Sequence, residues 1–309
     1  MATPQAPQSI SRRRPGPARG DRPLLVRVLD ERDPAGGRAK AALFLLHPGP
    51  SLLVTAVTVG AASIALRGAP SWSLALRLVL LMLPAQFAIG IVNDLADVAA
   101  DRDAKPHKPL VRGAVPVRTA VAVAGLLVAL SLGTAATLGG AVLAATAAGL
   151  GAGLAYDLGL KRGVLSLVPW WIGFTALPFC AYAAAGHLPR ALWWCVPLTA
   201  VLALGLHCAN VLPDLAGDRR GGTLSLPVLL GPRWTRRVAL AGPLACVALT
   251  AALAVPLQQA IAPLAIGWGA VAACVAAAAF SPRLSRAPFP VLALASAALA
   301  IAWLAALPV

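Results

Sequence analysis

Trp72–Asp101, WSLALRLVLLMLPAQFAIGIVNDLADVAAD, is an apolar run of membrane length that ends in a ladder of acids. Its first part, 72–93, is long enough to cross a bilayer as a helix. Its last part reads Asn93-x-x-x-Asp97-x-x-x-Asp101. On a helix, residues at i, i+4 and i+8 share one face and rise by about 6 Å per step. Asp94, three before Asp97, lies on that face too. The pattern recurs 117 residues later as Asn210, Asp214 and Asp218. The chain has 11 Asp and Glu in all. Four fall in the first forty residues, and the rest of the apolar sequence carries, besides these clusters, only Asp103, just past the first, and Asp157. Like charges at i, i+4 repel unless a counter-ion sits between them. Two such clusters in so apolar a chain point to a bound polyvalent cation.

The surrounding composition sets the class. Of 309 residues, 59% are hydrophobic and 12% charged, far too apolar for a soluble domain. Apolar segments of spanning length occur at about 50–67, 72–93, 118–137, 139–156, 165–185, 191–211, 237–255, 259–280 and 288–307. The expected fold is all-α: a polytopic membrane protein, a bundle of nine transmembrane helices with two Asp-rich motifs at the cytoplasmic side. The third and fourth spans meet at Gly139-Gly140.

The net charge of +15 does not indicate nucleic acid, because of where the charge lies. All Lys and Arg except Arg67, Arg77 and Arg190 fall before the first span or in the loops after the second, fourth, sixth and eighth. That is the positive-inside bias, and it puts the N-terminus and both acidic motifs in the cytoplasm and Val309 outside. A multi-pass protein of a bacterial cell membrane is expected. Residues 1–42 read as a disordered basic tail and 43–309 as the transmembrane domain. The five cysteines sit singly in apolar runs and read as small buried residues.

The two motifs stand in equivalent places, each after a span and before a basic loop. Their spacing of four spans suggests a duplicated four-helix unit plus a ninth helix. Carboxylates and Asn carbonyls, with no His or Cys set beside them, suit Mg²⁺. Mg²⁺ is commonly completed by phosphate oxygens. Lys105, Lys108 and Arg112 follow the first ladder, and Arg219 and Arg220 the second. Acids, a hard cation and basic side chains together make a diphosphate site, and a membrane setting makes a lipid diphosphate its natural occupant.

Several motifs carry a resemblance. Asn93-Asp94-Leu95-Ala96-Asp97-Val98-Ala99-Ala100-Asp101 resembles the first acidic signature of the UbiA superfamily of intramembrane prenyltransferases. Lys108-Pro109-Leu110-Val111-Arg112-Gly113 resembles its continuation, and Tyr156 to Arg162 its Tyr…Lys-Arg loop. Asn210 to Asp218 resembles the second acidic motif, with Thr223-Leu224-Ser225-Leu226-Pro227 after it. The match covers about 45–309. It implies a helical bundle and Mg²⁺-dependent loss of diphosphate from an allylic prenyl diphosphate donor. The carbocation is then captured by a hydrophobic or aromatic acceptor. In that reading Asn93, Asp94, Asp97, Asp101, Asn210, Asp214 and Asp218 hold metal. Lys105, Lys108, Arg112, Lys161 and Arg162 bind diphosphate. Asp97, Asp101, Asp214, Asp218, Tyr156 and Lys161 are the catalytic set. The sequence departs from the family at His47-Pro48, where many members have Arg-Pro, and in a short loop from Asp101 to Lys108.

Other polar residues have two readings each. Gln86, seven before Asn93, lines a cavity or bonds a neighbouring helix. His207 is a pocket residue or a satisfied core histidine. Asp157 can pair with Lys161 at i, i+4. The Trp170-Trp171 and Trp193-Trp194 pairs read as interfacial belt residues in preference to cation-stabilising walls. A terpene cyclase of the same fold is the second enzymatic reading. A cation-coupled transporter is the third, and the position of the acids at span ends, beside basic loops, counts against it.

Overall fold

The computed structural model describes residues 43–307, the side chains of Asp103 and Ala104 apart. The basic tail and Val309 lie outside the described residues. The described elements are all helical: α1 (Pro48–Leu66), α2 (Trp72–Ala104), α3 (Val117–Thr137), α4 (Gly140–Leu158), α5 (Leu167–Ala184), α6 (Cys195–Val211), the short α7 (Leu215–Arg220), α8 (Leu226–Ala254), α9 (Ile261–Phe280) and α10 (Phe289–Ala306). All but α7 belong to the nine segments long and apolar enough to cross a membrane among the described residues. The protein is a multi-pass integral membrane protein.

The element that positions the site is α2. Ser71 caps its start, its Oγ accepting from the Leu74 N–H at 3.3 Å. The helix then continues for 33 residues. At 1.5 Å per residue that is about 50 Å, well beyond a hydrocarbon core of about 30 Å. Its last three turns, which carry the acids, therefore overhang the apolar layer. This end of the bundle is the acidic end below, and the opposite end is the far end.

Local sequence explains the other boundaries. Gly139 separates α3 from α4 with φ 113°, a value other residues avoid. The seventh span begins at Leu226, eleven residues before the expected 237, because α8 is a kinked helix. Gly231 breaks it (φ 74°) just before Pro232, and the Thr235 hydroxyl donates to the Pro227 carbonyl at 2.7 Å across the break. Close helix approach uses small residues: a Cβ on Gly242 would lie 2.6 Å from the Gly205 Cα, so α6 and α8 meet backbone to backbone.

Packing follows the duplication read from the sequence. The pairs α1·α2, α2·α3 and α3·α4 have counterparts in α5·α6, α6·α8 and α8·α9, while α10 packs on α9 and α1 and so joins the two ends of the chain. A core cluster at the far end gathers Leu78, Leu81, Tyr182, Leu192 and Trp303. At the acidic end Leu45, Ile91, Leu110, Ala120 and Ala124 form a smaller one, which seats the loop after α2 against the helix.

Candidate active site

The two acidic segments differ in backbone. The first is one uninterrupted helix, so Asn93, Asp97 and Asp101 are stacked as the spacing predicts. The second is not, and the expectation of a single-face ladder there is corrected. α6 ends at Val211, turns carry 212–214, and Asp214 (φ −97°, ψ −2°) precedes the six-residue α7 that bears Asp218. Pro213 is the reason. It has no N–H to donate and its ring crowds the preceding turn; α2 absorbs such a residue at Pro84, whereas α6 ends two residues before Pro213. Asn210, Asp214 and Asp218 are thus on a helix end, a turn and a new helix.

The first ladder splits between two lysines. Lys108 Nζ lies 2.7 Å from Asp94 Oδ1 and 2.6 Å from Asp101 Oδ2. These acids are seven residues apart and point the same way, so one ammonium closes the loop back onto two turns of α2. Lys108 is only 17% exposed. Burial works against its charge, but the bonds to Asp101 and Asp94 outweigh that and hold its pKa above the usual lysine value. Asp94 also has His47 Nε2 at 3.3 Å. The His47 ring lies against Gly90, where a Cβ would come within 2.9 Å of His47 Cδ2.

Lys161 serves the other half. From the turn after α4 it donates to Asn93 Oδ1 at 3.1 Å and to Asp97 Oδ2 at 2.8 Å, with Asp97 Oδ1 at 2.7 Å. Arg162, 62% exposed, reaches 3.9 Å from the same carboxylate. The expected Asp157–Lys161 pair does not form. α4 ends at Leu158 and Gly159 turns the chain, so Lys161 is no longer on the helix of Asp157. Asp157 is instead buried, with Oδ2 unpartnered.

The two acidic segments meet. Lys105, from the loop after α2, places Nζ 3.6 Å from Asp214 Oδ2. The Leu224 N–H, beyond α7, donates to the Arg162 carbonyl at 2.8 Å. The loops that follow α2, α4 and α6 therefore gather in one place. Asp218 registers that crowding. Its carboxyl is pushed above the usual range by burial first, then by the charges of Asp214 and Asp97, against the pull of Lys105 and Lys161. Arg112 is exposed and makes no ion pair with the described residues.

An apolar cavity of about 640 Å³ runs through the bundle beside this site. Trp170 connects the two. Its ring is edge-on to Tyr156 at 6.0 Å, to Phe174 at 5.7 Å and to Phe289 at 5.9 Å, and both Phe rings and Trp170 line the cavity. The belt reading is thus wrong for Trp170, although Trp171, Trp193 and Trp194 are partly exposed. Gln86 lines the cavity as well. His207 is a core residue outside the cavity lining: it is fully buried, with Nε2 3.0 Å from Ser166 Oγ, its Nδ1 unpartnered, and its ring against Tyr156 and Trp170. Reading along the chain ranked the cavity-wall role of Trp170 second and missed the contact of His47 with Asp94. The signal for Trp170 was its place one turn into the span after the Tyr156 loop.

The donor chemistry suits a hard cation, since the groups offered are carboxylates and Asn oxygens. No three His, Cys, Asp or Glu among the described residues are grouped as a metal site by themselves. Mg²⁺ needs no such group, because one or two carboxylates plus substrate phosphate and water complete its shell. Asp97 with Asn93, and Asp214 with Asp218, are the sets of that size.

Comparison with known proteins agrees with this arrangement. The model of the UbiA prenyltransferase family matches residues 52–295. The chain belongs to the UbiA prenyltransferase family. It is 31% identical over 156 residues to a bacteriochlorophyll synthase 33 kDa chain of Cereibacter sphaeroides, a match spanning 48% of this chain and 51% of that one. It is 28% identical over 225 residues to a 4-hydroxybenzoate octaprenyltransferase of Paracidovorax citrulli, covering 72% and 74% of the two. The fold matches a UbiA homolog from Archaeoglobus fulgidus solved with GPP and Mg²⁺, with a TM-score of 0.63, 20% identity and 84% and 99% coverage. By family this UbiA member is a prenyltransferase.

Proposed function

We propose that this UbiA member transfers a prenyl group from an allylic prenyl diphosphate to an aromatic or other hydrophobic acceptor, with Mg²⁺, at the cytoplasmic side of a cell membrane. The observation that carries the reading is the meeting of two acidic segments and three basic side chains at one end of an aromatic-lined apolar cavity. Charged groups suit the diphosphate and the cavity suits a hydrocarbon.

In this reading Asp97 with Asn93, and Asp214 with Asp218 and Asn210, hold the metal ions. Bound there, Mg²⁺ neutralises diphosphate oxygens and so makes diphosphate a better leaving group. Lys161, Arg162 and Lys105 turn from carboxylates to diphosphate oxygens. Arg112, exposed in the loop after α2, is expected to join them. Asp94 and Asp101 act through Lys108, by fixing the loop, as well as through any contact with metal. The allylic C–O bond breaks and its electron pair leaves with the diphosphate. Tyr156 and Trp170 present π-faces to the allylic cation and keep water from it. The acceptor forms the new bond to carbon and gives up a proton to bulk water.

The test is incubation of purified protein with Mg²⁺, a set of allylic diphosphates and a panel of acceptors, read by mass spectrometry. Prenylated acceptor and released diphosphate are expected. A cyclised hydrocarbon formed without acceptor would establish the cyclase reading instead.

A further inference from the structure

The cavity has a measurable depth. Its wall on α10 runs from Phe289 to Leu304, and fifteen residues of helix span about 22 Å. The near end is marked by Trp170, Phe174 and Phe289, which adjoin Tyr156. The distant end is marked by Cys195, Trp303 and Leu304, part of the far-end core cluster. Behind it the Tyr182 hydroxyl donates to the Leu304 carbonyl at 3.3 Å and ties α5 to α10. Trp303 is 3% exposed. Along the wall between, α10 offers small residues, Ala293, Ala297 and Ala300. No Lys, Arg, Asp or Glu lines the cavity, so a charged group has no partner inside it.

On this basis, and resting on the prenyl-diphosphate reading above, we infer that the cavity is a ruler for the donor's prenyl tail, about four isoprene units deep, with Trp303 as its floor. Carbon–carbon bonds near 1.5 Å advance an extended chain by about 5 Å per four-bond isoprene unit, so about 22 Å takes about four units. The small residues of α10 leave room for the tail, and the indole of Trp303 closes it. Moving a tail from lipid into this cavity gains little by itself, since lipid is as apolar as the wall. Length selection therefore comes from steric exclusion of longer tails: forcing extra methylenes into packed space costs enough to weaken binding about tenfold or more.

The experiment is equilibrium binding to the full chain in nanodiscs with Mg²⁺, using non-hydrolysable thiodiphosphates of two, three, four, six and eight isoprene units, with inorganic pyrophosphate as a separate arm. Tails of up to four units should bind within a few-fold of one another and those of six and eight about tenfold or more weaker. Trp303→Ala should restore six-unit binding and leave two-unit binding unchanged. Ala300→Leu places bulk about 16 Å from Phe289 and should exclude the four-unit tail while sparing the two-unit one. The second variant keeps the test open if Trp303→Ala does not fold. Equal binding of all lengths, or no shift in the preferred length in either variant that folds, overturns the ruler. Pyrophosphate binding with no length preference leaves the diphosphate site standing without it. Failure of pyrophosphate and every thiodiphosphate to bind overturns the reading beneath.

Discussion

The first and second acidic segments are written alike and built differently. Asn93 to Asp101 lies on one stiff helix whose acids are held in place by Lys108 and Lys161. Asn210 to Asp218 is divided by Pro213 into a helix end, a turn and a six-residue helix. Its one ion pair among the described residues is the 3.6 Å contact with Lys105, itself 43% exposed. Spacing alone does not define a ladder. A shared face needs an unbroken helix, and one proline converts the same pattern into a jointed loop. The contrast suggests a division of work: a fixed half that presents acids at set positions, and a jointed half that adjusts around the substrate.

Substitutions can break that division in order of size. Asp97→Ala and Asp214→Ala should each lower turnover by about two to three orders of magnitude, because each removes charge that stabilises the departing diphosphate. Both proteins should remain folded by thermal unfolding in detergent. Near-normal rates in both would end the assignment of these acids to diphosphate chemistry.

Lys108→Ala should act on stability. It leaves Asp94 and Asp101 buried without the ammonium that both contact, and breaking a buried pair costs about 3–5 kcal/mol. A large drop in Tm is expected, accompanied by exposure of the loop after α2 to protease. Pro213→Ala is the sharper probe of the jointed half. Alanine is about 3 kcal/mol more favourable than proline inside a helix, so α6 should extend and carry Asp214 round onto its own face. Turnover should fall about tenfold with Tm unchanged or raised, whereas a rate equal to wild type would mean that the joint has no role.

A smaller effect concerns Asp218. A carboxyl whose pKa is raised by folding favours the protonated form in the folded state, so its contribution to stability is present at low pH and is lost as pH rises through the raised value. Asp218→Asn should therefore raise Tm at pH 8 more than at pH 4 in the metal-free protein. The reverse order would show that the crowding by Asp214 and Asp97 is not felt. The smallest change is expected for Lys105→Ala: as an exposed pair it is worth about 1 kcal/mol or less, and stability should barely move.

The spans were legible because their lengths and apolar content leave few alternatives, and the four-span spacing of the motifs foretold the repeat in the packing. The partners of the acids were less legible. Lys161 reaches Asn93 across 68 positions in sequence, a contact set by how α2 and α4 pack, and its i, i+4 relation to Asp157 was cut by Gly159. Pro213 was in plain view, and its meaning was masked by the regularity of the acids around it. Trp170 resembled an interfacial residue because a tryptophan near a span end fits both a belt and a cavity wall. Only the neighbours Tyr156 and Phe289 separate the two.

If both acidic segments serve one diphosphate, crystallography with Mn²⁺ and pyrophosphate will show it through the anomalous signal of the metal. A single pyrophosphate lying between the segments is expected, with one metal on Asp97 and another on Asp214, and with Lys161 turned toward its oxygens. Pyrophosphate and metal confined to one segment, with Lys105 still on Asp214 and Lys161 still on Asp97, would contradict it.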